Sequence, residues 1–320
     1  MIRALIFFTI FSSALFAQVG GPILGYVPDG AAIRPIYGLP AAGAIGPVLH
    51  SGRDFSSIAI SPRQNFILAT DSATGEVMVV KPGIGQLAIS GASANPGIIA
   101  VSPSGSSAAL WSQGHIQVVT GLPDSPSISN VDASFLNASP SAIAVSDDGQ
   151  WAVGLWSSSV YAFGPSAQVI PLQTDQGIVA LSFLHNSHNL ALANSARATS
   201  IADLGGSMQT SILYDYSAQS LSPRAIAVSF DNQHAVIADA SGKLVNINIP
   251  ASSASMVDCA CTPTGVYGLG GSVFRLTGFP GPSRNALERS GPRADLKIFD
   301  AAAGAVLIVP PALSETGGRQ

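Results

Sequence analysis

Four charged residues, Arg53, Asp54, Asp175 and Arg224, are the candidates for binding chemistry in this sequence. They lie in the polar segments "SGRDFSS", "TDQG" and "SPRA", and each segment leads directly into an apolar run. Guanidinium and carboxylate groups bind ligands through strong, charge-assisted hydrogen bonds. Solvated loop charges have the same sequence signature and contribute little. Two interpretations therefore stay open, a polar binding patch and ordinary loop residues.

Sequence patterns typical of catalysis or metal binding are absent. The chain has no G-x-S-x-G nucleophile elbow, no phosphate-binding P-loop and no H-E-x-x-H zinc helix. The segment "HNSH", residues 185–188, has a spacing found in metal sites, but it stands in a polar stretch between two apolar runs. We predict turn residues there, with a metal site as the alternative. No catalytic residue, metal or cofactor is predicted.

The two cysteines of the chain, Cys259 and Cys261, are separated by one residue. In an extended strand this spacing places the Cα atoms about 6 to 7 Å apart. That separation is near or beyond the upper limit for a disulfide. The sequence therefore favours two buried thiols, with a strained local bridge and a metal or redox role as the alternatives.

The first 17 residues have the layout of a secretory signal peptide. Arg3 precedes an apolar run, and small residues occupy Ser12, Ala14 and Ala17. Cleavage after Ala17 is favoured, and cleavage after Ala14 is the alternative. An uncleaved anchor is a further interpretation, although the run is shorter than the ~20 apolar residues of a spanning helix. We expect a monomeric periplasmic or extracellular protein without a membrane span.

Composition limits the class of partner. Charged residues make up 10% of the chain and the formal net charge is -4, so the broad basic surface that neutralises nucleic-acid phosphates is missing. We therefore expect no nucleic-acid partner. The mean hydropathy of +0.39 comes from many short Ala, Ile and Val runs broken by Gly, Pro and Ser, which is typical of buried strands.

One of these short runs returns along the chain. The phrase "AIAVSDDGQWAVGLW", which starts at Ala142, has relatives that start at Ser57, Ile98, Ile178 and Ala225. The serine in each phrase serves as a marker, and successive markers are 41, 44, 36 and 47 residues apart: Ser61, Ser102, Ser146, Ser182 and Ser229. A period of roughly 40 to 45 residues with only strand-like segments predicts an all-β propeller with one four-stranded blade per repeat.

Each repeat is interpreted as two hairpins. The first strand, such as "IAVS", is apolar at consecutive positions, as expected for a strand that is buried on both faces near the axis. The small residues at its centre allow neighbouring blades to approach: Ala59, Ala100, Ala144, Ala180 and Ala227. A polar turn and a second strand follow. The tryptophans of the second strands, Trp111, Trp151 and Trp156, are expected to pack between blades, with carbohydrate stacking as the alternative.

The repeats predict six full blades, at residues 57–90, 97–132, 141–174, 177–216, 224–258 and 264–311. The last blade carries a polar insertion rich in Pro and Gly, residues 278–295. Residues 23–40 have strand candidates without an "IAVS" partner, so we predict an N-terminal hairpin that forms a partial seventh blade or joins the seam of a six-bladed ring. The propeller domain then spans residues 18–313, and residues 314–320 form a flexible tail.

The phrases "IAVSPSGSSAALW" and "IAVSDDGQWAVGLW" resemble the "IAVSPDG" phrase of the YVTN and WD40-like family of bacterial β-propeller repeat proteins. The resemblance covers the five repeats between Ser57 and Pro250 and implies the propeller fold. The chain has no "YVTN" segment and no Trp-Asp pair that closes a blade. Six-bladed lactonases resemble the expected fold and hold a metal in the channel with Glu, Asp and Asn. The corresponding positions here carry no carboxylate: Ser57, Gly97, Ser141, Gly177, Arg224 and Gly265.

The predicted function is a non-catalytic binding scaffold for a protein, peptide or glycan. The alternative is a lactonase-like or other hydrolytic enzyme with a site over the central channel. An enzyme needs acid, base or metal-ligand residues that converge there, and only the four charged loop residues are candidates. The scaffold is favoured because it needs no such group, and the fold alone does not decide between the two.

Overall fold

The computed structural model describes residues 21–49, 51–157, 159–277 and 296–310. These residues form seven antiparallel sheets around a central channel. The prediction of an all-β propeller is therefore confirmed. The predicted signal peptide, the insertion at residues 278–295 and the tail at residues 314–320 lie outside the described residues. No helix in the described ranges is long and apolar enough to span a bilayer.

Six sheets are four-stranded blades whose strands follow one another from the axis to the rim. The first strands are β4 Phe55–Ile60, β8 Ile98–Val101, β12 Ala142–Val145, β16 Ala180–Phe183, β20 Pro223–Val228 and β24 Tyr267–Gly268. The second strands are β5 Ile67–Asp71, β9 Ser107–Ser112, β13 Ala152–Trp156, β17 Leu190–Ala193, β21 His234–Asp239 and β25 Val273–Arg275. We number these blades 1 to 6 in chain order.

The outer half of each blade is a second hairpin. The third strands are β6 Val77–Lys81, β10 His115–Thr120, β14 Ser159–Gly164, β18 Arg197–Ala202, β22 Lys243–Asn248 and β26 Leu296–Asp300. The fourth strands are β7 Gly85–Ala88, β11 Ser127–Asp132, β15 Gln168–Leu172, β19 Gln209–Asp215, β23 Ser253–Asp258 and β27 Ala305–Val309. Helical structure within the described residues is limited to short 3-10 segments at Ser134–Leu136, Pro165–Ala167 and Ser217–Gln219.

The repeated topology gives the disc two different faces. The turns between first and second strands lie on one face, which we call the turn face. The opposite face carries the loops that lead into the first strands and the turns between second and third strands, and we call it the loop face. Hydrogen bonds join these two loop-face features, for example from Ser72 N to Asp54 O (2.9 Å) and from Ala240 N to Ser222 O (3.0 Å).

The seventh, N-terminal blade has three strands: β1 Ile23–Asp29, β2 Ala32–Leu39 and β3 Ala42–Ile45. The turn between β1 and β2 lies on the loop face, because Phe55 N donates to Ala31 O at 3.0 Å. A turn between a first and a second strand would lie on the turn face. The three strands therefore occupy the second, third and fourth positions, and no strand of the described chain occupies the inner position. The prediction of a partial seventh blade agrees with this arrangement.

Gln64 of blade 1 bridges the seam where the ring closes. Its Nε2 donates to Gly268 O of blade 6 at 2.9 Å, and its Oε1 accepts a hydrogen bond from Tyr26 N of the N-terminal blade, also at 2.9 Å. Gly25 leaves room for this amide, since a Cβ there would lie 2.7 Å from Oε1. One side chain thus connects three blades.

The core lies between neighbouring blades. Second strands such as β5, β13 and β17 are buried along their whole length. The three tryptophans are at most 5% exposed, and the rings of Trp111 and Trp156 meet edge to face across blades 2 and 3 at 5.7 Å, so the core-packing prediction is confirmed. The first strands are less buried than the second strands, because their inner edges border the channel: β8 is half-buried throughout and β12 at every second residue, although β16 is buried at three of its four residues.

The marker in blade 4 is Leu184 rather than Ser182. In blades 1, 2, 3 and 5 the marker amide bonds the carbonyl five residues later, and in blade 4 this bond runs from Leu184 N to Asn189 O. Ser182 therefore takes the small, axial position that Ala144 has in blade 3, and the prediction of Ala180 there is wrong. Ala180 lies two residues earlier, at the start of β16, and packs in the core between blades 4 and 5. The serine was misleading because a β-strand repeats every two residues.

Cys259 and Cys261 form a disulfide with a Cα–Cα distance of 5.1 Å. The prediction of two buried thiols is wrong, because it assumed an extended backbone. The fourth strand of blade 5 ends at Asp258, and Ala260 between the cysteines has a φ of +45°. The chain therefore folds back at Ala260 and brings the two Cα atoms within the range of a disulfide.

Candidate functional site

The four sequence-predicted residues lie in the loops or first strands that border the loop face. Arg53 donates from Nη1 to Asp71 of its own blade, and Arg197 lies 3.4 Å from Asp175 in blade 4. The hydrogen bond from Arg53 and the backbone N–H groups of Ala73 and Thr74 hold the pKa of Asp71 below its usual range. Both predicted charges thus have ion-pair partners inside their own blades.

Asp54 and Arg224 are exposed, and Arg224 sits at a register shift between the first two strands of blade 5. No ion pair or hydrogen bond among the described residues joins any two of the four predicted side chains. A shared patch of Arg53, Asp54, Asp175 and Arg224 remains a proposal.

Polar groups converge on the opposite, turn face. The marker serines shape these turns: Ser146 Oγ donates to Asp148 Oδ1 at 2.6 Å and accepts from Trp151 N at 3.0 Å. Ser229 makes the same two bonds in blade 5, with Asp231 and His234. These two bonds fix the shape of the turn. The residue directly after the marker takes no part in them, so its side chain, on the side of the axis, can differ from blade to blade.

In blade 3 the residue after the marker is Asp147, and its carboxylate joins three blades. Oδ1 accepts from Ser104 N of blade 2 at 2.6 Å, and Oδ2 accepts from Asn186 N of blade 4 at 2.7 Å. The side chains of Asp147 and His185 are 9% and 10% exposed, and His185 Nε2 lies 3.9 Å from Oδ2. This distance is too long for a hydrogen bond, and Nε2 has no other partner among the described residues.

A row of side chains crosses the channel mouth on this face. The ring of His185 stacks on Phe230 of blade 5 with a centroid distance of 3.8 Å. The guanidinium of Arg63, from blade 1, lies 5.1 Å from the centroid of the Phe230 ring. Blades 1 and 5 are far apart around the ring, so this contact spans the axis. The row therefore narrows access to the channel from the turn face.

Asp148 lies beside this row and faces outward. Burial by itself would raise its pKa, but hydrogen bonds from Ser146 Oγ, from Gln150 N and from His188 outweigh burial and lower it. His188 Nε2 is 2.8 Å from Asp148 Oδ2, and the two side chains are 33% and 41% exposed. Asp148 is therefore a charged acceptor at neutral pH that remains open to a ligand.

An open cleft of about 450 Å³ lies over the junction of blades 2, 3 and 4. We call it the turn-face cleft, and its lining residues are Ser106, Asp147, Asp148, Asn186, Ser187 and His188. A second depression of about 610 Å³ continues outward past His188 toward Asp203. No group of three or more His, Cys, Asp or Glu side chains within the described ranges is placed to hold a metal ion.

The prediction of turn residues at "HNSH" is confirmed, since residues 184–189 form the turn between β16 and β17. Asp147, Asp148 and the row formed by His185, Phe230 and Arg63 were not predicted from the sequence. A comparison of the position after each marker, once Leu184 is used in blade 4, would have shown Pro62, Pro103, Asp147, His185 and Phe230. Three successive blades thus carry Asp, His and Phe at the position where blades 1 and 2 carry proline.

No protein-family model and no curated protein sequence matches this chain. Several solved structures share the fold. A functionally unknown protein from Desulfotomaculum acetoxidans is 15% identical, with a TM-score of 0.56 over 90% of this chain and 99% of that chain. The β-propeller domain of Cps50 (Swd1) from Myceliophteria thermophila is 10% identical, with a TM-score of 0.51 over 80% and 95%. AztD from Citrobacter koseri is 12% identical, with a TM-score of 0.57 over 91% and 82%. At these identities the similarity shows the fold alone.

Proposed function

We propose that the protein is an exported, non-catalytic binding scaffold that holds a basic peptide or protein segment in the turn-face cleft. The observation that carries this proposal is the pair of fixed carboxylates, Asp147 and Asp148, in a cleft whose lining residues include no Lys or Arg. A cationic side chain would find charged acceptors there without any rearrangement of the turns.

The geometry of the turns supports a preorganised site. Asp147 accepts hydrogen bonds from backbone N–H groups of blades 2 and 4. Asp148 accepts a hydrogen bond from the marker serine of its own turn, Ser146. Acceptors that are already fixed lose little conformational entropy when a ligand binds. Asp148 is the more exposed of the two carboxylates, so it is the one that would contact a lysine or arginine first.

Two features support export. The first 17 residues have the charge, apolar run and small residues of a signal peptide. The disulfide between Cys259 and Cys261 is of a kind that persists in oxidising compartments and is rare in the cytosol.

Fluorescence anisotropy with labelled hexalysine would test the site. Hexaglutamate is the charge control, and unlabelled maltohexaose is the neutral competitor. Asp148→Asn should weaken hexalysine binding by about tenfold, the loss expected when a charged hydrogen bond is removed. Asp231→Asn is the matched control, because Asp231 has the same role in the blade 5 turn but lies outside the cleft.

If Asp148→Asn and Asp231→Asn lose the same affinity for hexalysine, the peptide binds only through the general negative charge of the protein. This result would contradict the proposal. Binding of maltohexaose in place of hexalysine would assign the cleft to a glycan. If the protein binds stoichiometric calcium or zinc and hydrolyses a lactone, and if Asp54→Ala or Asp175→Ala abolishes that hydrolysis, the protein is an enzyme and the scaffold proposal is wrong.

A further inference from the structure

Arg275 lies at the seam between blade 6 and the N-terminal blade. It is the last residue of β25, toward the loop face, and it pairs with Tyr267 of β24 and Ile298 of β26. Ile298 belongs to the core cluster that blade 6 shares with the N-terminal blade. Paired residues point to the same side of a sheet, so the side chains of Arg275 and Tyr267 also face that blade.

Arg275 is a buried cation that has no counter-ion among the described residues. The residue is 6% exposed, and no carboxylate of the described chain lies within ion-pair distance of its guanidinium. Burial lowers the pKa of Arg275 to about 10, which leaves it charged at neutral pH. Its neighbour at the seam, Arg34, differs in this respect, because Arg34 Nε lies 2.5 Å from Asp29 Oδ2.

The ring of Tyr267 is the partner that Arg275 does have. The guanidinium carbon lies 4.3 Å from the ring centroid, which is a cation–π contact. Such a contact offsets only part of the free-energy cost of burying an ion. The ring covers one face of the guanidinium plane and leaves the N–H groups on its edges for another acceptor.

The site borders the channel. Tyr267 is 45% exposed although it belongs to an inner strand, so solvent reaches its ring. The N-terminal blade has no inner strand among the described residues at this level, which leaves the ring uncovered on that side. Arg63 and Phe230 cross the mouth on the turn face, so a ligand would reach the site from the loop face.

We infer that Arg275 and Tyr267 form a binding site for a small carboxylate ligand that enters the channel from the loop face. A carboxylate accepts two parallel hydrogen bonds from a guanidinium edge. Its single negative charge balances the single positive charge of Arg275. A phosphate monoester carries about -1.5 to -2 at neutral pH, so it would leave an excess negative charge in a buried site. This inference does not depend on the turn-face cleft.

Thermal unfolding in sodium acetate and in sodium chloride, at equal ionic strength and pH 7, would test the site. Acetate should raise the Tm of the wild-type protein with increasing concentration, because a ligand of the folded state stabilises it. Arg275→Met removes the unpaired charge and keeps the apolar bulk. It should therefore raise the Tm in chloride and abolish the acetate response.

Arg34→Met is the matched control, since it removes a paired arginine at the same seam. It should lower the Tm in chloride and keep the acetate response. Arg275→Lys retains the charge but not the bidentate fork, and it should weaken the apparent acetate affinity by about tenfold. This second variant keeps the test valid if Arg275→Met does not fold.

Two results would overturn the inference. If Arg275→Met lowers the Tm as Arg34→Met does and the acetate response is unchanged, Arg275 is a structural residue that is satisfied within the chain. If phosphate raises the Tm more than acetate does, and Arg275→Lys reduces that effect, the site binds an anion of a different class.

Discussion

At the scale of single residues, Asp148 and Asp231 have equivalent positions in the turns of blades 3 and 5. In each case burial would raise the pKa of the carboxyl. Hydrogen bonds from the marker serine and a backbone N–H outweigh burial and lower the pKa, helped by a His188 hydrogen bond at Asp148 and by the nearby charge of His234 at Asp231. The unfolded chain then takes up protons first as the pH falls. The stabilisation from these carboxylates is present above about pH 4 and is lost as the pH falls through their folded pKa values.

We therefore expect Asp148→Asn/Asp231→Asn to be less stable than the wild type at pH 7. It should also lose less stability between pH 5 and pH 3. The difference should be about 1 kcal/mol or less per site, because both turns are partly solvated. Urea unfolding at pH 7, 5 and 3 measures it. Asp124→Asn, at an exposed carboxylate, is the control, and equal acid sensitivity of the double variant and the wild type would contradict the prediction.

The cysteines show the limit of residue spacing as a predictor. The sequence places a single residue between Cys259 and Cys261, but the distance between their Cα atoms depends on the φ of Ala260. Alanine rarely adopts a positive φ, so nothing local indicates the fold-back. The same holds for His185 and Asp147, whose proximity comes from the packing of two blades.

At the scale of elements, the inner strands determine how closely the blades pack. Ala144 is half-buried and contacts the core that blades 3 and 4 share. Ala144→Leu should overpack this junction and lower the free energy of unfolding by about 1–3 kcal/mol. Val169→Leu on the fourth strand of the same blade is the control, because Val169 is 38% exposed. An unchanged Tm for Ala144→Leu would contradict the inner-strand assignment.

Gln64 makes a second prediction at this scale, at the seam of the ring. Gln64→Ala leaves Tyr26 N and Gly268 O without their partner, and a lost buried hydrogen bond costs about 1–3 kcal/mol. We expect a lower urea midpoint and faster amide exchange at Tyr26. Gln86→Ala removes a single exposed bond to Ser51 O and should have little effect. Equal stability of the two variants would show that Gln64 does not hold the seam.

The strand pattern was predictable from the sequence to a large extent, and its exceptions have physical reasons. Five repeats of an apolar strand, a polar turn and an apolar strand are sufficient to predict a propeller. The two-residue error at Ser182 arose because Ser182 and Leu184 point to the same side of the strand. The position of the N-terminal blade in the ring was harder to predict. Its first strand, β1, resembles the second strand of a full blade in sequence, because "YVPDG" at the end of β1 is similar to "LATDSATG" at the end of β5.

At the scale of the whole molecule, the disc determines which distant residues can act together. The sequence placed Arg53, Asp54, Asp175 and Arg224 near one face by topology, but it could not show that Arg53 pairs with Asp71 and Arg197 with Asp175. The turn-face row joins Arg63, Phe230 and His185 from three blades. Contacts between residues this far apart in sequence depend on ring closure, which no local pattern encodes.

Export is the prediction that concerns the whole chain. Expressed in a bacterium with its first 17 residues, the protein should be recovered outside the cytosol, with an N-terminus at Gln18 or Leu15 by N-terminal sequencing. In the same sample Cys259 and Cys261 should resist alkylation until a reductant is added, because both sulfurs are in the disulfide. A variant without residues 1–17 is the control, and it should stay in the cytosol with thiols that alkylate directly. Recovery of the full-length chain in the cytosol with Met1 intact would contradict export, and it would remove the leader as support for an extracytoplasmic scaffold.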